Sequence, residues 1–132
     1  LEVRGAETRL GAVPAFERVR AEETPPLILA GDFNSAPPAW PQTGDRAGVS
    51  GPIGSTAVGQ LLSQRWRSFR AAGPPASEDW TYPVPSPDRA IDWVLVEPPL
   101  QVLDARVLKG TEGLSDHAPV LASIRMPSGG GG

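Results

Sequence analysis

Leu27-Ile28-Leu29-Ala30-Gly31-Asp32-Phe33-Asn34 is the stretch that decides how this chain folds. Four apolar residues bounded by Pro26 and Gly31 read as a buried strand. Upstream, Glu7–Glu23 carries Leu10, Val13, Phe16 and Val19 at every third position with Arg and Glu between them, the pattern of a helix with one apolar face. Pro14 would cost about 3 kcal/mol in a helix interior. The regular helix is therefore expected to begin near it, where a missing N–H does no harm. Thr24-Pro25-Pro26 stops the helix. A helix running into a strand predicts an α/β layer.

Downstream, Ser35–Gly54 is a long loop rich in Pro and Gly. Thr56–Phe69 has a second apolar helical face of Val58, Leu61, Leu62, Arg65/Trp66 and Phe69, and Gly73-Pro74-Pro75 ends it. Thr81-Tyr82-Pro83 is a short extended piece, followed by a Pro83–Pro87 connector. Ala90–Val96 is a strand, with Ile91, Trp93, Leu95 and Glu97 on one side and Asp92, Val94 and Val96 on the other. Leu100–Leu108 and Ala118–Ile124 are two more strands, separated by a loop at Thr111–Ser115, and there is no internal repeat. Residues 1–126 are expected to form the folded part, and 127–132 a flexible Gly-rich tail.

With 132 residues the chain has the length of one modest domain. Its 16 Pro and 15 Gly cluster between the periodic runs, so it reads as loop-rich but folded. A net charge of −3 and a pI of about 5.1 do not indicate a general electrostatic grip on nucleic acid. Arg65, Arg67 and Arg70 crowd together and read most simply as a solvated helix face. The absence of cysteine excludes a disulfide framework, zinc–thiolate sites and a cysteine nucleophile. No apolar run approaches the length of a membrane span, the acidic N-terminal residues lack a signal-peptide core, and no compartment is indicated.

The chemistry gathers at two places. In Gly31-Asp32-Phe33-Asn34, residues i and i+2 project to the same side of a strand end. A carboxylate that can hold a metal or orient a water then stands beside an amide that can donate to a phosphoryl oxygen. The same residues are also ordinary turn formers. Asp116 precedes His117, the one histidine of the chain. A carboxylate there suits Mg²⁺, which prefers oxygen ligands, and an imidazole beside it can donate a hydrogen bond or carry a proton. Such a ring needs an acceptor on its other nitrogen. Asp92 interrupts an apolar strand and requires a partner if buried, either Arg89 or His117. Trp40, Trp66, Trp80 and Trp93 read as packing residues, and Tyr82 as either packing or pocket lining.

Gly31-Asp32-Phe33-Asn34-Ser35, Arg89-Ala90-Ile91-Asp92-Trp93 and Leu114-Ser115-Asp116-His117-Ala118-Pro119-Val120, in this order, resemble the endonuclease/exonuclease/phosphatase superfamily of DNase I-like metal-dependent phosphoesterases. Thr81-Tyr82-Pro83 upstream of the second motif is similar to a bacterial branch of that family. The resemblance spans about Leu1 to Met126. It implies the family's four-layer α/β sandwich, of which this chain matches the C-terminal half, with one mostly antiparallel sheet and flanking helices. It implies further that Asp32 orients or deprotonates the attacking water, that Asn34 contacts the phosphate and helps place Asp32, and that Asp92 holds the His117 ring. Asp116, with Asp32, would bind Mg²⁺ (or Mn²⁺). His117 would hydrogen-bond a non-bridging phosphate oxygen. The expected reaction is hydrolysis of a phosphodiester or phosphomonoester of unspecified type.

The family's N-terminal half supplies an Asn, a metal-binding Glu and a first His that find no match here, and Leu1-Glu2 resembles the residues directly after that His. Catalytic groups act as a unit, so the isolated chain is expected to turn over little. A non-catalytic fragment, or a module that pairs with a missing half or a second copy, is the competing expectation.

Overall fold

The computed structural model describes residues 6–42, 48–68, 70 and 76–129. Three sequence expectations lie outside them: Phe69 on the second helix face, the Gly73-Pro74-Pro75 stop, and the Leu1-Glu2 pair. The last residues of the Gly-rich tail and part of the Ser35–Gly54 loop also lie outside.

The chain opens with two helices, α1 (Ala6–Gly11) and α2 (Val13–Glu22), with Pro14 in the first turn of α2. The regular helix does begin at that proline, and a short helical turn precedes it. Strand β1 (Ile28–Asp32) follows, then α3 (Ala57–Ser63), β2 (Arg67–Ser68), β3 (Asp92–Val96), β4 (Gln101–Val107) and β5 (Val120–Arg125). The expected single sheet is two antiparallel sheets, one ordered β1-β3-β2 and one of β4 with β5. Both edges of β3 are taken by β1 and β2, and β4 pairs with β5 in a ladder of its own. The architecture is mixed α/β, compatible with part of a DNase I-like domain. Among the described residues no helix is long and apolar enough to cross a membrane.

One face of β1-β3-β2 makes the core. Trp93 and Leu95 of β3 are almost fully buried, packed with Val13, Phe33, Trp40, Val58, Leu61 and Trp66. Trp93 meets Trp40 with ring centroids 5.7 Å apart, and its Nε1–H donates to the Ser35 carbonyl at 2.9 Å. The opposite face is open at its Asp32–Asp92 end, while Val96 at the other end is fully buried. Here the expectation of a buried Leu27–Ala30 strand fails: β1 is an edge strand with Ile28, Ala30, Gly31 and Asp32 exposed. Only Leu27 and Leu29 reach the core, because side chains alternate and a single face is covered.

Helix α3 is seven residues long, too short to persist on helix propensity alone. Its N-terminal donors are capped from two sides. Thr56 Oγ1 accepts from Gly59 N at 3.1 Å, and Ser35 Oγ accepts from Val58 N at 3.2 Å. Gly59 has to be glycine, since a Cβ there would collide with the Ile53 carbonyl. The periodicity of Thr56–Phe69 overstated this helix. It stops at Ser63, and Arg67 and Ser68 cross to pair with Val96 and Leu95. Backbone hydrogen bonds to the second edge of β3 outweigh the local helical pattern. Arg65, Arg67 and Arg70 therefore do not form a solvated helix face: Arg67 lies in a strand, and Arg70 is 6% exposed.

Two buried polar groups hold the loops. Gln42 accepts from Ala36 N at 3.0 Å and donates to the carbonyls of Ala36, Pro37 and Trp40, replacing the ladder that this proline-rich loop cannot form. Glu97 is 2% exposed and accepts from Arg20 Nε at 2.5 Å and from Leu27 N at 3.1 Å, joining α2 to the end of β3.

Candidate active site

The register of β1 against β3 places Asp32 directly opposite Asp92. Residues paired this way share a sheet face, so both carboxylates stand on the open side with Ala30 and Val94 beneath them. Like charges so placed repel. His117 lies between them. Its Nδ1 is 2.9 and 3.1 Å from the two Asp92 oxygens, and its Nε2 is 3.9 Å from Asp32 Oδ2. An ionised carboxylate only accepts, so Nδ1–H is the donor and Nε2 is the nitrogen turned toward Asp32. The three side chains line a cleft of about 340 Å³ together with Ser115 and Pro119.

Local backbone geometry delivers each group. Gly31 takes φ +150°, a conformation that side chains rarely adopt. Phe33 N donates to the Ile91 carbonyl at 2.8 Å and carries the ladder one residue past Asp32. Asn34 then turns the chain at φ +47°, a left-handed conformation that Asn tolerates. In that turn Asn34 N and Nδ2 donate to the Asp32 carboxylate at 2.8 and 3.3 Å. The buried amide thus orients Asp32. On the other side, Ser115 Oγ accepts from His117 N at 3.1 Å.

Partial burial works against the charged form of His117. The hydrogen bond to Asp92 and the charges of Asp92, Asp32 and Asp116 outweigh it and hold the ring above its ordinary pKa. The imidazolium, with an Nε2–H to donate, is correspondingly favoured.

Of the five residues singled out from sequence, Asp32, Asn34, Asp92 and His117 come together. Of the two partners open to Asp92, it has His117, and Arg89 pairs with Asp88 at 2.7 Å instead. Asp116 is exposed, and its carbonyl accepts from Val84 N at 2.8 Å. Its charge bears on His117, but its carboxylate is not in the Asp32–Asp92–His117 group. The ligand atoms of that group lie within 4.8 Å of one another, a set that could hold a metal ion. Two carboxylates with one imidazole suit a hard divalent cation that tolerates a nitrogen.

Arg70 was not legible as a site residue. It donates to the Asp92 carbonyl at 2.8 Å and the Asp79 carbonyl at 2.6 Å, with its guanidinium 4.7 Å above the Trp93 ring. Burial pulls it down to about 10, against the opposing pull of Asp79 and Asp92. It braces the backbone of Asp92 from the core side. Nothing in the Arg65–Arg70 pattern distinguished it from a surface arginine. Tyr82 is a half-buried wall of the site, its ring centroid 4.7 Å from that of His117.

The family model described as Endonuclease/Exonuclease/phosphatase family matches residues 2–117, most of the chain. No curated protein and no solved structure gives a significant match.

Proposed function

This chain belongs to the endonuclease/exonuclease/phosphatase family, and from that premise we propose that it hydrolyses a phosphoester by metal-assisted attack of water. The observation that carries the reading is His117 held between Asp92 and Asp32, with Nε2 3.9 Å from Asp32 Oδ2. One oxygen lying off the line between those two atoms is within hydrogen-bond reach of both. Asp32, oriented by Asn34, takes the proton of the attacking water. His117 Nε2–H donates to a non-bridging phosphoryl oxygen as charge grows there. Asp92 keeps the proton on Nδ1 and the ring in its plane. We assign Asp32 as a carboxylate for a divalent cation, Mg²⁺ or Mn²⁺; the exposed Asp116 would join it only by turning its carboxylate toward the Asp32–Asp92–His117 group. When bound, the ion supplies Lewis-acid polarisation of the phosphoryl group.

The test is hydrolysis of bis-p-nitrophenyl phosphate by the purified chain. Release of p-nitrophenol should require Mg²⁺ or Mn²⁺, stop with EDTA and fall to background in Asp32→Ala. Because the chain has a single histidine, Mn²⁺ broadening of its ring resonances reports metal binding apart from turnover. Release that survives both EDTA and Asp32→Ala overturns the proposal. So does a chain that shows neither release nor broadening.

A further inference from the structure

Thr81-Tyr82-Pro83 is the sequence feature that the hydrolytic roles leave unused, and it is bonded to the site's backbone on both sides of His117. The backbone of this segment brackets the histidine. Ala118 N donates to the Thr81 carbonyl at 2.7 Å, and Val84 N donates to the Asp116 carbonyl at 2.8 Å. These bonds fall on the residues immediately before and after His117. Thr81 is fully buried, and its Oγ1 accepts from Ile91 N at 3.2 Å, one residue before Asp92. Thr81 N and Tyr82 N both donate to the Arg89 carbonyl, at 2.8 and 3.2 Å. One short strap therefore fixes the chain beside both members of the Asp92–His117 pair.

Within the strap, Tyr82 lays its ring against the imidazole at 4.7 Å between centroids and 43° between planes. The hydrogen bonds that Nδ1–H donates to Asp92 locate that nitrogen, but they leave the ring able to rock about it. A rigid aromatic face restricts the rocking and aims Nε2 along the direction toward Asp32. We propose that Tyr82 is a positioning residue that orients the His117 imidazole by ring packing, with its hydroxyl playing no part. The catalytic weight of this role rests on the hydrolase reading above; the placement of the ring does not.

The test pairs a spectroscopic readout with turnover. The ring protons of the single histidine should lie upfield of their free-imidazole positions because of the Tyr82 ring current. Tyr82→Phe should keep that shift and the hydrolysis rate. Tyr82→Leu, which fills the space without a ring, should lose the shift and lower kcat about 10-fold to 100-fold with little change in KM. Tyr82→Ala serves as the second ring-less variant where Leu fails to fold. Wild-type protein without the upfield shift overturns the proposal, as does Tyr82→Phe behaving like Tyr82→Leu. Tyr82→Leu hydrolysing at the wild-type rate overturns it while leaving the hydrolase reading standing. A chain that shows the Tyr82-dependent shift but neither turnover nor Mn²⁺ broadening supports the ring placement and removes only the hydrolase reading.

Discussion

The two faces of the β1-β3-β2 sheet are built from neighbouring residues of the same strands by opposite means. On the closed face, Trp93 and Leu95 are held by burial, and their polar atoms are few and satisfied. On the open face, Asp92 and Asp32 are held by hydrogen bonds from His117 and Asn34, with little apolar cover. Apolar burial carries most of the stability of such a fold. Exposed or half-exposed ion pairs contribute little to it. The closed face should therefore set whether the chain folds, and the open face what it does. Arg70 crosses the division, a buried charge on the closed side that braces the backbone of an acid of the open one.

The strongest way to break the comparison is Trp93→Ala. It should cost about 3–5 kcal/mol in chemical denaturation, because it empties the centre of the core. A cost near that of an open-face substitution would refute the division. Glu97→Ala comes next. Removing one partner of a buried pair costs about 3–5 kcal/mol. The low end is expected here, since Arg20 keeps 23% of its side-chain surface and can hydrate once alone. Gln42→Ala should follow at about 1–3 kcal/mol, removing the bonds that its amide makes to Ala36 N and to three carbonyls, of which that of Pro37 keeps Trp40 N. Urea unfolding of each variant measures the order.

The smallest effect on stability, and the sharpest on chemistry, belongs to Asp92→Asn. His117 is raised in the folded state, so its stabilising contribution is complete below its unfolded value near 6.5 and is lost as pH climbs through the folded one. Thermal melts of the metal-free chain should therefore decline as pH rises across that window, and Asp92→Asn should flatten the decline. A profile that falls as steeply in Asp92→Asn as in wild type would show that Asp92 is not what raises the ring.

Much of this was legible in the sequence, and the particular residues say why. Alternation along Ile91–Glu97 announced two faces of β3, because side chains in a strand alternate whatever surrounds them. The proline in the first helical run marked where the regular helix begins, since its missing N–H is harmless only there. What failed were inferences from apolarity or period alone. Leu27–Ala30 read as a buried strand, yet burial depends on which neighbours arrive, and only one face of β1 is covered. Arg70 continued a helical pattern, yet the chain left the helix at Ser63 to satisfy the edge of β3. Gln42 carried no signal at all, because its partners are loop carbonyls whose need arises only in the folded loop.

Residue chemistry and order along the chain were sufficient to name the family, the strand that carries Asp92, and Asp32, Asp92 and His117 as candidates for one cluster, while Asp116, named with them, stands outside it. They are properties of covalent sequence and short-range alternation. Only tertiary structure decided that Asp32 stands opposite Asp92, that His117 rather than Arg89 answers the charge of Asp92, and that Tyr82 lies on the imidazole. The first depends on the register of an antiparallel ladder between segments some sixty residues apart, and the other two on how the loops that carry His117 and Tyr82 pack beside that ladder; such long-range pairing is set by the whole packed core, which no local pattern encodes.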